Sequence, residues 1–392
     1  MKKVLYLSII GAIIVVFGCR KAFNPVIDTA DVNILVVEGM VNTGTDSTII
    51  KLSRTVPIGN KTTVSSETKA VVTIETAQAT ILTLTENARG IYVAPPKTLD
   101  NTKQYRVRIR TVNGKVYLSD LVDAKVTPPI DSIGFLVKDD KLQVYANTHD
   151  ATNKTRYYRY SFRETWMFNS NYPSNFITNG KDIVGRTPAQ AITTCFSSDT
   201  SAYTLINSTA QLSQDVAFHV PIDLIDGTSE KISIKYSILL RQQGITKEAY
   251  DFYENLKKNT ESLGNIFDAQ PSQLTGNIHN IADATEPVIG YMTAGTTQQK
   301  RIFILKSQLP QSFVTKYPYG CELDSAFNGP VPKDRFHSAY TIETLIPIQN
   351  PIQSVVILPF TSLAHETGWL FTDRPCGDCT LRGAIKPPYF WK

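Results

Sequence analysis

Hydrophobic and polar residues alternate with a period of two along much of the chain. After residue 32 the runs NILVVEGMV, AVVTIET and QYRVRIRTVNGKVYLSDLV are rich in β-branched residues, and Gly, Asn, Asp and Pro separate them. Such alternation is typical of half-buried strands, and many short strands with regular turns indicate a sandwich. We therefore expect a mainly β protein with an immunoglobulin-like or fibronectin-like β-sandwich over residues 32–127.

The alternation stops at Thr127-Pro128-Pro129. Proline cannot continue a strand ladder and stiffens a linker, so this tripeptide predicts a domain boundary. Residues 128–392 are expected to form a larger, β-rich C-terminal domain that ends in a Cys-x-x-Cys tail.

One segment, ITKEAYDFYENLKKNTESLG, changes to a helical period. It predicts an α-helix over residues 246–263 that Thr246 caps and Gly264 ends. The residues on its apolar face are Ala249, Phe252, Tyr253, Leu256 and Leu263.

The run RYYRYSFRETWMF places aromatic residues on one face of a strand and arginines on the other. The aromatic residues are Tyr158, Tyr160, Phe162 and Trp166, and the arginines are Arg159 and Arg163. Core packing is the favoured interpretation of these aromatics, and a stacking platform for a sugar or another ligand is the alternative.

Three arginines alternate along an earlier strand, at positions 106, 108 and 110. A solvated outer face is the favoured interpretation, and an anion-binding strip is the alternative.

The N-terminus carries a basic pair, Lys2 and Lys3, and then an apolar run that ends at Cys19. This pattern predicts a lipoprotein signal peptide over residues 1–18, lipidation of Cys19, and a tether over residues 19–31. Loss of the two lysines lowers the net charge from +5 to +3. So small a charge argues against a nucleic-acid partner.

Motifs for phosphate, dinucleotide, nucleophile-elbow or calcium sites do not occur in the sequence. His365-Glu366 begins like a zinc-protease motif but lacks the second histidine. We therefore predict no catalytic residue, no metal and no cofactor.

The body of the chain carries four further cysteines: Cys195, Cys321, Cys376 and Cys379. An even number outside the cytoplasm favours disulfides, with three possible connectivities. A zinc site that uses Cys321 and a nearby histidine such as His365, or a redox-active Cys-x-x-Cys, is less favoured.

Several stretches together resemble, in order, a family of Bacteroidota outer-membrane lipoproteins classed only as a domain of unknown function. They are ILVVEGMV, YYRYSFRETW, the helical segment through QLTGNI, VIGYMTAG and the final CGDCTLRGAIKPPYFW. Members of that family are commonly encoded beside a TonB-dependent transporter. The resemblance implies a lipid anchor in the outer membrane, on a face that the sequence does not determine, and it assigns no catalytic residue.

These observations favour a non-enzymatic, lipid-anchored binding or accessory protein that serves a TonB-dependent transporter in the uptake of a small-molecule, glycan or peptide ligand. Two alternatives stay open: a cell-surface hydrolase of glycans or peptides, and a structural or adhesion lipoprotein of the envelope.

Overall fold

A computed structural model describes residues 33–56, 65–179, 182–261, 274–317, 319–327, 340–341, 354–361 and 367–391. Strands predominate in it, which confirms the mainly β fold class. The first strands are β1 (Leu35–Asn42), β2 (Thr48–Arg54), β3 (Ser65–Ser66), β4 (Val71–Glu75), β5 (Thr80–Ala88), β6 (Ile91–Ala94), β7 (Gln104–Arg110), β8 (Val116–Ser119) and β9 (Val122–Lys125).

The middle of the chain contains β10 (Ile130–Lys138), β11 (Lys141–Asp150), β12 (Tyr157–Asn169), β13 (Phe176–Thr178), β14 (Ile183–Gly185), β15 (Thr194–Thr200), β16 (Leu205–Ser208), β17 (Asp215–Asp226), β18 (Lys235–Gly244) and the helix α1 (Lys247–Glu261). The last part contains β19 (Ile278–Asn280), β20 (Val288–Ile289), β21 (Ala294–Gly295), β22 (Thr297–Leu305), β23 (Asp324–Phe327), β24 (Tyr340–Thr341), β25 (Ser354–Thr361), β26 (Thr367–Asp373) and the one-turn helix α2 (Arg374–Gly377).

Eight strands form one closed sheet, which we name the barrel. Neighbours follow the order β7, β4, β5, β6, β2, β1, β21 and β9, and β9 pairs again with β7. Alternate residues point inward, so Tyr105, Val107 and Ile109 of β7 are buried. The closure differs from the two facing sheets of the predicted sandwich, because β21 joins the edges of β1 and β9.

Part of the barrel comes from far along the chain. Strand β19 pairs with β8, β20 pairs with β1, and Ile278, Val288 and Met292 are buried in the barrel core. The boundary predicted at residues 127–129 follows the end of β9 and stays a prediction, but residues 32–127 do not form this unit alone.

Two further sheets enclose a second core, and we name this unit the sandwich. One sheet has the order β10, β11, β17, and the other has the order β15, β12, β18, β22, with β16 also paired to β12. Leu142 and Val144 of β11 and Tyr236 and Ile238 of β18 are fully buried in the shared core. The opposite face of the β12 and β18 sheet points away from that core.

The helix α1 matches the predicted helix in position and buried face. It begins directly after Thr246, whose Oγ1 accepts a hydrogen bond from the backbone N–H of Ala249 at 3.2 Å. Ala249, Phe252 and Tyr253 are buried as the sequence predicts. The end of the predicted helix, residues 262–264, lies outside the described residues.

A four-stranded sheet in the order β24, β23, β26, β25 follows the sandwich in sequence. Phe176 of the hairpin β13–β14 packs against Trp369 of β26, with ring centroids 4.9 Å apart. This small unit therefore joins an insertion after β12 to the C-terminal strands. Within the described residues, no helix has the length and apolar character needed to cross a membrane.

Candidate functional site

The four aromatic residues of β12 lie in or against the core. Tyr158, Tyr160 and Phe162 are at most 5% exposed, and Trp166 is partly buried against the same cluster. Their rings therefore pack between the two sheets, and the alternative of an exposed stacking platform at these positions is wrong.

The same inward face of β12 carries a carboxylate that the sequence interpretation missed. Glu164 is buried, forms an ion pair with Lys231, and accepts a hydrogen bond from the Tyr236 hydroxyl at 3.0 Å. Burial raises the pKa of Glu164 even though Lys231 acts in the opposite direction. Position 164 continues the inward alternation of 158, 160 and 162, which is the signal that could have revealed it.

Both cysteines of the Cys-x-x-Cys motif are in disulfides, as predicted. Cys379 bonds to Cys195 of β15, and Cys376 bonds to Cys321. The two sulfur atoms of the motif thus go to different distant partners, and neither is free to bind zinc or to act as a dithiol. His365, the histidine considered as a zinc ligand, lies outside the described residues.

The aromatic tail packs on the outer face of the sandwich. The Trp391 ring lies 5.2 Å from Phe196 and 5.6 Å from Phe303, measured between centroids. The guanidinium of Arg301 lies 3.6 Å from the centroid of Phe390.

A cleft opens between the barrel and this outer face. Two cavities of about 270 and about 410 Å³ adjoin each other, because Gly39, Arg159 and Ser161 line both of them. Strand β1 supplies one wall, β12 and β18 supply the other, and Tyr253 of α1 closes one end. We name this space the arginine cleft, because Arg159 and Arg241 line it. Clefts between structural units are common ligand sites.

The strand register brings the two arginines together. Arg241 of β18 lies directly opposite Ser161 of β12, and Arg159 lies opposite Gln243. Arg159 and Arg241 are thus diagonal neighbours on one face of the sheet, where Cα atoms are about 7–8 Å apart. The Arg159 guanidinium lies 4.5 Å from the Tyr253 ring centroid, which orients it.

The two arginines are not neutralised by neighbouring acids. Among the residues that the structure describes, neither side chain forms an ion pair or a hydrogen bond. The acids that line the space have other partners: Asp46 accepts a hydrogen bond from Gln299, and Glu38 pairs with Lys51 at 2.8 Å. Asp46 keeps its charge, because Gln299 is neutral. Counted with Lys51, three cations face the two carboxylates Glu38 and Asp46, so the charge of the cleft is a small positive excess.

The arginines of β7 behave differently. Arg106 and Arg108 both pair with Glu75 of the neighbouring strand β4, at 3.1 and 2.6 Å. Burial acts to raise the pKa of Glu75, but hydrogen bonds from Arg108 and Arg106 outweigh it and hold that pKa below its usual value. Arg106 and Arg108 thus have an acidic partner on the barrel surface, whereas Arg110 has none among the described residues, and the anion-binding alternative for this strand stays a prediction.

The positive face continues from the cleft toward the tail. Burial lowers the pKa of Arg301, and the charge of Arg163 beside it acts in the same direction. Arg163 is exposed at the next outward position after Ser161 on β12. Diagonally placed arginines thus extend from Arg159 through Arg241 toward Arg301.

One polar atom at the cleft has no partner. The side-chain oxygen of Gln243 is shielded from water, and no hydrogen-bond donor reaches it within the described residues. Buried acceptors are normally satisfied, so this oxygen is an exception within the part of the chain that the structure describes. The groups of the cleft that can bind an anion are thus the two arginines.

The lipidation of Cys19 and the expected absence of a metal stay predictions. Cys19, the predicted lipidation site, lies outside the described residues. Within the described ranges, no three His, Cys, Asp or Glu side chains lie close enough to share a metal ion.

No curated protein matches the chain. Residues 20–301 match a family whose description is Domain of unknown function (DUF4249). The matched range contains both walls of the arginine cleft and extends over more than two thirds of the chain, but it ends before Cys321, Cys376 and Cys379. The chain therefore belongs to the DUF4249 family.

Proposed function

We propose that this protein is a lipid-anchored outer-membrane binding protein that captures an anionic ligand in the arginine cleft and supplies it to a TonB-dependent transporter. The observation that carries the proposal is the pair Arg159 and Arg241, which line a cleft of ligand size without any acidic partner among the described residues. Guanidinium groups bind carboxylate, sulfate and phosphate groups by paired hydrogen bonds.

Calorimetric titration of the full protein tests the binding step. The probes are citrate, glucuronate, glucose 6-phosphate and inorganic sulfate, with glucose as the neutral control. We expect at least one anionic probe to bind, with an affinity that falls as salt rises because the contact is electrostatic. Binding of glucose alone would contradict the proposal.

The double substitution Arg159→Gln and Arg241→Gln removes the charge but keeps much of the side-chain volume. Each hydrogen bond to a charged group contributes about 1.5–3 kcal/mol, so we expect each substitution to weaken binding by about tenfold or more. Arg110→Gln is the matched control, since Arg110 is exposed on the barrel. Equal affinities of the double variant and the control would refute the assignment of the cleft.

The lipid anchor and the transporter are tested separately. Mild detergent extraction of tagged protein from the outer membrane should recover a large TonB-dependent transporter, and Cys19→Ser should remove the protein from the outer-membrane fraction. Recovery of the wild-type protein alone at low salt would remove the support for a transporter partner. Turnover of a probe during titration would favour the hydrolase alternative.

A further inference from the structure

A stack of three rings lies on the outer face of the sheet formed by β10, β11 and β17. The His219 ring lies 3.9 Å from the Phe218 ring, at an interplanar angle of 14°, and 4.0 Å from the Tyr145 ring. Phe218 is 70% exposed, and His219 is exposed as well. We name these three residues the aromatic stack. None of its members lines the arginine cleft.

A β-bulge places two consecutive residues on the same face. Ala146 pairs with Val220 and Thr148 pairs with Ala217, so Phe218 and His219 together oppose the single residue Asn147. In a regular strand these two side chains would point to opposite faces.

The bulge requires a strained backbone. His219 has a φ of +49°, in the left-handed region that residues with a side chain rarely adopt. The backbone N–H of His219 donates to Asn147 Oδ1 at 2.7 Å, and Asn147 Nδ2 donates to Ser132 Oγ at 2.8 Å. Backbone strain that exposes a large apolar ring does not stabilise the fold and is typical of binding sites.

The third ring fits because its neighbour has no side chain. Gly134 of β10 lies opposite Tyr145 of β11, and a Cβ atom at Gly134 would come within 2.6 Å of Tyr145 Cζ. The end of the tyrosine ring therefore lies across Gly134, flat on the sheet.

Neutral polar groups, Asn147 and Ser132, lie beside the stack. Just beyond them on the two strands, His149 Nδ1 and Asp131 Oδ2 form a hydrogen bond at 2.8 Å. The site thus offers flat ring faces beside neutral hydrogen-bonding groups. This complements a neutral molecule that has an apolar face and hydroxyl groups at its edge.

The exposed apolar area is too small for a stable protein interface. Even with Val216 and Leu224 on the same face, it is on the order of 500 Å², taken from the ring sizes and exposed fractions. A specific protein interface needs about 800 Å² from each partner.

We propose that the aromatic stack is a second binding site, which holds neutral hexopyranose units of a glycan by stacking on Phe218 and by hydrogen bonds to Asn147 and His149. This site is independent of the anion-binding cleft. It would fix the protein to a neutral polysaccharide while the cleft captures a different molecule.

Titration of the full protein with four soluble neutral hexasaccharides tests the proposal: cellohexaose, mannohexaose, maltohexaose and xylohexaose as the pentose comparison. We expect one of the three hexose chains to bind more tightly than xylohexaose. Phe218→Ala should weaken that binding about tenfold or more, because the apolar area that the sugar buries on the ring is lost. Tyr389→Ala is the matched control, because Tyr389 is 98% exposed on the tail and its loss should change nothing.

Two further variants separate binding from folding. His219→Gly relieves the positive φ, so the thermal midpoint should stay the same or rise while affinity falls. Gly134→Ala should displace the tyrosine ring and also lower affinity.

Several outcomes would overturn the proposal. They are the absence of binding by the wild-type protein at millimolar sugar, equal affinity of Phe218→Ala, or a dimer of this chain that Phe218→Ala dissociates. The last result would assign the stack to contact between two copies.

Discussion

The bond between Cys195 and Cys379 should be a major source of stability for the sandwich. Replacing both cysteines by alanine leaves the bridge from Cys321 to Cys376 intact. With that second bridge in place, the lost bond closes a ring of roughly 130 residues, because the chain path crosses from Cys321 directly to Cys376. The loop-entropy relation then gives roughly 5 kcal/mol for the bond.

The loss of packing around the two cysteines adds to the loss of stability, and relaxation of the chain reduces it. Both cysteines are 0% exposed and contact Phe168. Native disulfides removed from proteins typically cost about 2–5 kcal/mol, so we expect a loss of about 3–5 kcal/mol in the free energy of unfolding. The steepness of the urea transition should increase, since the unfolded chain becomes more expanded.

Urea unfolding without reductant, followed by tryptophan fluorescence, measures the effect. Trp166 packs against the bridge and Trp391 against Phe196, so two of the three tryptophans report on this region. Non-reducing peptide mapping of the variant should show only the bond from Cys321 to Cys376. A loss below about 1 kcal/mol, within the range of ordinary surface substitutions, would refute the loop-entropy reasoning.

Three further predictions concern stability and pH. Hydrogen bonds from Thr152 and neighbouring residues lower the pKa of Asp150 to about 2, although burial opposes them. The contribution of Asp150 to the free energy of unfolding is therefore present above pH 3.8 and is lost as the pH falls toward 2. In denaturant titrations, Asp150→Asn should cost about 1 kcal/mol at pH 7, after allowance for screening, and much less at pH 2.5. Burial raises the pKa of Glu164, so this group favours folding most below pH 4.5 and less as the pH rises through its raised pKa. The thermal midpoint of Glu164→Gln should lack that decline. Parallel pH profiles of the thermal midpoint for the variant and the wild-type protein would contradict the assignment. Thr246→Ala removes the cap of α1 and should lower stability by about 1 kcal/mol, measurable by calorimetry, whereas Thr246→Ser should retain most of it.

Features that depend on local sequence were predictable. The helix α1 is predicted by a capping residue, a helical period of apolar residues and an apolar face. All three occur within 20 consecutive residues of the sequence. The alternation in β12 correctly separates Tyr158 and Tyr160 from Arg159 and Arg163, because the period of a strand is fixed by backbone geometry.

Features that depend on distant partners were not predictable. The barrel closes through β21, two residues long, whose sequence Ala-Gly carries no strand signal. The arginine cleft also depends on partners that are distant in sequence. Arg106 is paired because β4 brings Glu75 beside it, and Arg159 is unpaired because β18 brings Gln243 and Arg241 instead. Whether an arginine meets an acid is decided by strand order, which a single sequence does not show.

The late strands of the barrel also set an order of events during synthesis. Strand β9 ends at Lys125, but the segment that joins it to β1 ends at Gly295. A chain that emerges from its N-terminus, whether from a ribosome or from an export channel, exposes β1 and β9 before the segment that joins them has appeared. During that interval β1 and β9 are open edges, which are prone to pair with other chains. The nascent protein is thus prone to aggregation until that segment has appeared, and a chaperone that covers the open edges would protect it most during this period.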